Sequence, residues 1–436
     1  MAAPLEKVPG KAWVVTFAGT AVNLCLGILY AWSVWKIALL APKGHSAGEV
    51  MTGINQGWVY LNDAQATWAY AICGIVFAVF MIPGGKIQDK FGPKVGATLG
   101  GLLLAAGCIV AGLMKSYTGL VIGFGIMGGI GMGIGYAAPT PAALKWFGPH
   151  KRGLIAGLVV GGYGGAALYI SFLGKWLIGN YGISGSFIIL GIFFAVVVII
   201  AGQLLAWPPE GYVPPGPPLV KGAPKAAAPV DWTAGEMVKT AQFFALVFMF
   251  IGSSQSGLLI IANATPILTK AASGIAFFVA NAFLLASYGG LINASGRVTT
   301  GLYSDKIGRT NAYTINCIVS AACLFLMPAI IKSGNIFFLF LAVGIAYWQY
   351  GGGLALLPSF TADFFGPKNL GFNYGLVFIG WGIAFFVPQA AGYIKDATGS
   401  LNIAFYTSGV LLLVAVAVAR MTKRPAPAGE VAPATS

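Results

Sequence analysis

GKIQDKFGPK (residues 85–94) recurs 216 positions later as GLYSDKIGRT (residues 301–310), each copy lying between two long apolar stretches. Both fit the pattern G-x-x-x-D-K-x-G. A second pair, WFGPHKRGLIAG (146–157) and FFGPKNLGFNYG (364–375), is offset by 218. Two unrelated segments that recur at nearly one spacing indicate a chain built from two similar halves in the same orientation. Such a duplication needs a cavity where the halves meet.

The chain on either side of these loops is too apolar for a soluble domain. Of 436 residues 58% are hydrophobic and 8% charged, with a mean hydropathy of +0.83, whereas a soluble domain carries roughly 25% charged residues. The sequence predicts an all-α membrane protein with twelve transmembrane helices in two six-helix halves. The expected spans are 12–40, 66–85, 95–114, 118–144, 153–178 and 184–207, then 241–269, 275–303, 311–331, 335–360, 370–394 and 401–421. The expected domains are an N-terminal half (1–207), a linker (208–240), a C-terminal half (241–421) and a tail (422–436). Eight prolines fall in 208–240, which therefore cannot span and reads as a semi-rigid connection. Thr233 and Glu236 at its end have capping-box spacing and predict a short helix before the seventh span. MAAPLEKVPGK runs straight into the first apolar stretch, so no cleavable signal peptide is expected.

Twelve crossings place both chain ends on one side. Seventeen Lys and Arg fall on that side and seven on the other, among them Lys36, while Arg297 belongs to neither group. The excess predicts cytoplasmic termini and linker in a cell inner membrane. It also explains the net charge of +14 without nucleic acid. The five cysteines all sit in apolar spans without metal-like spacing and read as packing residues.

The repeated G-x-x-x-D-K-x-G loops resemble the signature loop of the major facilitator superfamily. GILYAWSVW (27–35), LKWFGPHKRGLIAGLVVGGYG (144–164), GEMVKTAQFF (235–244), ASGRVTTGLYSDKIGR (294–309) and FFGPKNLGFNYG (364–375) are similar to the oxalate/formate antiporter family, itself related to animal monocarboxylate transporters. The resemblance covers nearly the whole chain except 41–65, where a longer first loop looks inserted and has no assigned role. In the loops, Gly85, Gly92, Gly301 and Gly308 let helix ends approach. Asp89 and Asp305 stand near basic groups, Arg152 and Arg309 among the motif residues, and are expected to latch the halves in one state.

Arg297 is the decisive position. It lies about five residues inside the eighth span, where an arginine costs roughly 2.5–3.5 kcal/mol on insertion scales. As the spans are drawn, none contains an Asp or Glu to neutralise it. Its planar fork matches a carboxylate in two parallel hydrogen bonds. The resemblance implies the same role, since the family's arginine at this motif position binds the substrate carboxylate. Asn293, four residues earlier, shares its helix face. The monocarboxylate transporters resembled here carry an aspartate at that position for proton coupling, and asparagine cannot titrate.

A lysine in span 11 of the oxalate-carrying family member corresponds to Trp381 here. One cation suits one carboxylate, because a second carboxylate would be buried unpaired. Trp381 and Phe378 offer apolar surface to a short carbon chain. Tyr30, Tyr136 and Tyr163 match aromatic positions of the family's cavity, Tyr350 stands where the family has another aromatic, and Leu354 replaces one.

These residues predict a carrier of a small monocarboxylate of the lactate, pyruvate, acetate or formate class. Anion exchange and proton symport both stay open, and the alternatives are an oxalate/formate-type dicarboxylate exchanger or a transporter-like sensor. An enzyme is not expected: the two histidines, His45 and His150, lie far apart in loops, and no nucleophile, base or metal cluster is apparent. Gly123–Gly128 matches G-x-G-x-x-G, yet lies inside a span without a preceding strand and is discarded as a nucleotide motif. Gly125, Gly129 and Gly133, and Gly157, Gly161 and Gly165, read instead as small-residue stripes for close packing of helices 4 and 5. No cofactor or metal is expected, the partners are the carboxylate anion, a proton if one is co-transported, and the bilayer, and the chain is expected to be a monomer.

Overall fold

In hydrocarbon every backbone N–H and C=O must be satisfied within its own segment, and helices do this. The computed structural model describes residues 8–147, 152–215, 231–366 and 369–425. Ten helices in it are long and apolar enough to cross a membrane. The first four are α1 (Gly10–Leu39), α2 (Asp63–Phe91), α3 (Pro93–Met114) and α4 (Tyr117–Leu144). Residues 152–204 form two crossings, α5 (152–181) and α6 (183–204), joined at Gly182. Then come α7 (Ala241–Ala271), α9 (Arg309–Ser333), α10 (Ile336–Phe365), α11 (Phe372–Thr398) and α12 (Asn402–Met421). The twelfth crossing, α8 (Leu284–Ile307), falls short of the same apolarity because it carries Asn293, Arg297, Thr299, Thr300 and Ser304. The crossing that falls short is thus the one that bears Arg297. The fold is the expected all-α bundle of twelve helices in two halves.

The ends of the helices differ from the expected spans in ways that matter. Span 2 starts at Asp63, capped by Asn62, whose side chain accepts from the Gln65 N–H at 2.7 Å while Gln65 accepts from the Asn62 N–H. An acidic residue therefore does stand on a membrane helix. Spans 5 and 6 run together, without the expected gap, through a sharp bend at Gly182 (φ +70°). There a Cβ would lie 2.7 Å from the Ile54 carbonyl oxygen. Gly182→Ala combines left-handed strain with that clash, so we expect a loss of about 1–3 kcal/mol, read as a lower melting temperature in detergent.

The duplicated loops have a common physical basis. Gly92 (φ +86°) and Gly308 (φ +87°) each end one helix and start the next, with their N–H groups bonded to Gln88 and Ser304 carbonyls at 2.8 and 3.0 Å. Only glycine adopts that backbone cheaply. Two charged members of the motif have partners within their own halves. Arg309 lies 3.7 Å from Asp363, and Asp89 accepts from Gln88 at 3.1 Å. The side chains of Arg152 and Asp305 lie outside the described residues, as do His150, 216–230 of the linker and 426–436 of the tail.

Glycine stripes set the helix spacing. Cβ atoms at Gly129 and Gly133 would fall 2.7 and 2.6 Å from the Cys73 and Phe77 carbonyl oxygens, so α4 packs backbone-to-backbone on α2. The second stripe faces α8 more loosely: Gly157 meets Val298, and Gly161 meets nothing within 4 Å. The capping box is formed, with Thr233 and Glu236 bonded reciprocally at the start of Ala234–Met237. Those bonds hold the Glu236 carboxyl below its usual range.

The bundle has two faces. One, the linker face, carries residues 205–215 and the duplicated loops. The opposite face carries residues 40–62 and the end of α11. There the first loop is an ordered hairpin: Met51 and Tyr60 N–H groups bond to Trp58 and Glu49 carbonyls at 2.8 and 2.9 Å. Trp58 is buried and donates to the Ser184 hydroxyl, and Asn55 accepts from the Ile183 N–H.

Candidate functional site

Arg297 projects from the middle of α8 into the seam between the halves and is 5% exposed. Gly164 on α5 makes room for it, since a Cβ there would lie 3.1 Å from its Nε. Three hydrogen bonds fix the guanidinium. Nε donates to Asn293 Oδ1 at 3.2 Å, one terminal nitrogen donates to the Val160 carbonyl at 3.2 Å, and the other donates to the Tyr30 hydroxyl at 3.3 Å. All three acceptors are neutral. Among the described residues no carboxylate pairs with it.

A hydroxyl chain leads away from the cation. The Tyr30 and Tyr350 oxygens are 2.7 Å apart, and Trp381 Nε1 donates to the Tyr350 hydroxyl at 2.8 Å. Tyr30 comes from α1, Tyr350 from α10 and Trp381 from α11, so the chain crosses between the halves. Of the two tyrosine hydrogens only one is spent between the pair, which leaves one hydroxyl donor for a further acceptor. Asn293 Nδ2 is likewise buried without a hydrogen-bond partner, and such an orphan typically costs about 1–3 kcal/mol. One cation and two spare neutral donors therefore lie together.

The remaining expected residues close a ring around this point. Tyr163 stands edge-on to Tyr30 at 5.0 Å and to Tyr136 at 5.1 Å. Phe378 stacks on Trp381 at 5.0 Å. The structure thus brings Arg297, Asn293, Tyr30, Tyr136, Tyr163, Tyr350, Phe378 and Trp381 into one cluster. Leu354, one turn beyond Tyr350 on α10, is half-buried.

Phe77 was missed by the sequence. Its ring lies 5.0 to 5.8 Å from those of Tyr136, Tyr163, Phe378 and Trp381 and joins the tyrosine side of the cage to the tryptophan side. Nothing local distinguishes it from the other 28 phenylalanines.

Lys36 and Asp63 were also missed. Lys36, counted above among the charges of the side opposite the termini, is fully buried near the end of α1. Its Nζ lies 2.9 Å from Asp63 Oδ1 and donates to Thr67 Oγ1 and Asn263 Oδ1 at 3.0 and 2.7 Å. Asp63 also binds Lys395 at 2.5 Å. The two were missed differently: Asp63 lies just before the expected second span (66–85), whereas Lys36 lies inside the expected first span (12–40) yet was counted with the charges of the opposite face. The two buried cations therefore differ: Lys36 has its carboxylate, and Arg297 has neutral oxygens.

A twelve-helix bundle in two halves, closed over a buried cation and an aromatic cage, is a membrane transporter and not an enzyme. The chain belongs to the Major Facilitator Superfamily, whose family model matches residues 12–348. It is similar to the oxalate:formate antiporter of Oxalobacter formigenes, with 27% identity over 94% of this chain and 91% of that protein. It is similar also to monocarboxylate transporter 12 of Rattus norvegicus, with 22% identity over 83% of this chain and 78% of that one. In fold it resembles the xylose transporter XylE of E. coli in a partially occluded inward-open conformation, at a TM-score of 0.65 and 12% identity, over 94% of this chain and 98% of the other.

Proposed function

We propose that this chain carries a small monocarboxylate, of the lactate, pyruvate, acetate or formate class, by alternating access around Arg297. The observation that carries the reading is the buried guanidinium bonded only to neutral acceptors, beside the unpartnered Asn293 Nδ2. A carboxylate seated on the fork would neutralise the charge and take up the spare donors of Asn293 and of the Tyr30–Tyr350 pair. Charge-assisted hydrogen bonds of this kind are worth roughly 1.5–3 kcal/mol each.

Trp381 and Phe378 determine size and charge. They set an apolar wall across the cage, so a second carboxylate would meet rings and no cation. An empty site keeps an unpaired cation in a dry seam, which resists closure, and exchange of one anion for another is therefore favoured over uniport. Both termini and the linker lie in the cytoplasm and the bundle in the cell inner membrane, on the strength of the lysine and arginine excess at the linker face.

A competition panel tests the reading. In proteoliposomes, one- to four-carbon mono- and dicarboxylates compete with labelled lactate at two pH values. Monocarboxylates should displace it at least about tenfold better than oxalate, as expected when one buried carboxylate lacks a partner. Oxalate as the tightest competitor would overturn the role given to Trp381.

A further inference from the structure

On the face opposite the linker, the seam between the halves is closed by charge. Lys36 and Asp63 belong to the N-terminal half, and Lys395 and Asp396 to the C-terminal half. Asp63 binds both lysines, while the Asp396 carboxylate accepts the N–H groups of Asp63 and Ala64 at 3.0 and 2.9 Å. Asp396 thus satisfies the open N-terminus of a helix in the other half, where a negative charge is favoured. Trp68 adds a bond to the Tyr393 hydroxyl at 2.9 Å.

This closure continues inward to the cage. Tyr30, Ser33 and Lys36 are spaced three apart on α1 and share one helix face. Each is bonded across the seam: Tyr30 to Tyr350, Ser33 Oγ to Thr265 Oγ1 at 3.0 Å, and Lys36 to Asn263. The polar file runs from Arg297 to the charge cluster, along the boundary that alternating access must open. On the linker face the contact across the seam is weaker, with Lys86 over the Phe372 ring at 5.6 Å.

We propose that Lys36, Asp63, Lys395 and Asp396 form the gate opposite the linker, and that the α1 face of Tyr30, Ser33 and Lys36 walls the route it closes. The proposal rests on the alternating-access reading above and is independent of which anion is carried. The charges divide in a way suited to repeated opening. When the halves part, Lys36 keeps Asp63, and Lys395 and Asp396 leave together on α11, so the gate residues of each half carry no net charge. Opening breaks bonds that water can replace at the mouth of the route.

The inserted first loop gains a role from this arrangement. The Leu61 N–H bonds to the Leu39 carbonyl at 2.9 Å, which ties the end of α1 to the start of α2 beside the Lys36–Asp63 pair. Trp58 and Asn55 anchor the loop to the Gly182 bend, as described above. The brace holds the pair as one rigid jaw against which Lys395 and Asp396 dock.

The test uses thiol accessibility in the full chain reconstituted in liposomes. Ser33→Cys reports on the route, and Gly375→Cys reports on the linker face, where a Cβ fits 3.7 Å from Ile82. The parent chain supplies the blank for its five native cysteines. A membrane-impermeant maleimide is applied to each face in turn. Neutralising the C-terminal side of the gate with Lys395→Gln and Asp396→Asn together should speed labelling of Ser33→Cys by about tenfold or more, by shifting the population toward the open gate. Labelling of Gly375→Cys should slow in the same background, since the two faces open alternately. An unchanged Ser33→Cys rate overturns the gate, and faster labelling at both positions overturns it too, because that is loosening and not gating. Protection of Ser33→Cys by added lactate reads the substrate assignment separately.

Discussion

Arg297→Lys should retain the positive charge and lose most of the function. Lysine is a point charge on a flexible stem and cannot give a carboxylate two parallel hydrogen bonds. It would also release Asn293 Oδ1, the Val160 carbonyl and the Tyr30 hydroxyl, all held by the present fork. Loss of one charge-assisted bond and of the fixed geometry should cost about 2–3 kcal/mol, or roughly a hundredfold in affinity. Arg297→Ala should abolish specific binding. The measurement is equilibrium binding of labelled lactate to purified chain, with melting temperature as the control for folding. Wild-type uptake by Arg297→Ala in vesicles would end the case for this cation as the carboxylate ligand.

How much of this was legible in the sequence depends on whether a signal is periodic or spatial. The duplicated loops were legible because Gly92 and Gly308 must adopt the same left-handed backbone, and the requirement leaves the same letters twice. Arg297 and Asn293 were legible because a charge inside an apolar run is costly and four residues make one helical turn. The aromatic positions came from family resemblance, and the structure gathers them into one cage. Phe77 left no signal, since its importance lies in four rings from three other helices.

Lys36 and Asp63 were misread for a different reason. Hydropathy draws a span through its apolar letters, so Asp63 fell just before the second span, and Lys36, at the end of the first, was counted with the charges of the opposite face. The helix ends here are set by other chemistry, the Asn62 capping box for α2 and the Leu39–Leu61 backbone bond for α1. A paired charge buried next to a span end is invisible to a hydropathy average. The pairing also sharpens the argument for Arg297, because it shows how the chain neutralises a buried cation when no ligand is required.

The second large effect follows from that pairing and is asymmetric. Asp63→Asn should leave Lys36 fully buried with only Thr67 and Asn263 as partners, and leave Lys395 close by with like charge. Stripping a buried pair of one member typically costs about 3–5 kcal/mol. Lys36→Met should cost less, about 1–2 kcal/mol, because Asp63 keeps Lys395 at 2.5 Å and lies nearer the surface. Combining the two removes the stranded charge, so Lys36→Met should rescue Asp63→Asn by about 2–3 kcal/mol, a coupling of the size neighbouring residues show. Melting temperatures of the four proteins in one detergent complete the cycle. If the two substitutions simply add, Lys36 does not depend on Asp63, and the rigid jaw proposed for the gate has no electrostatic basis.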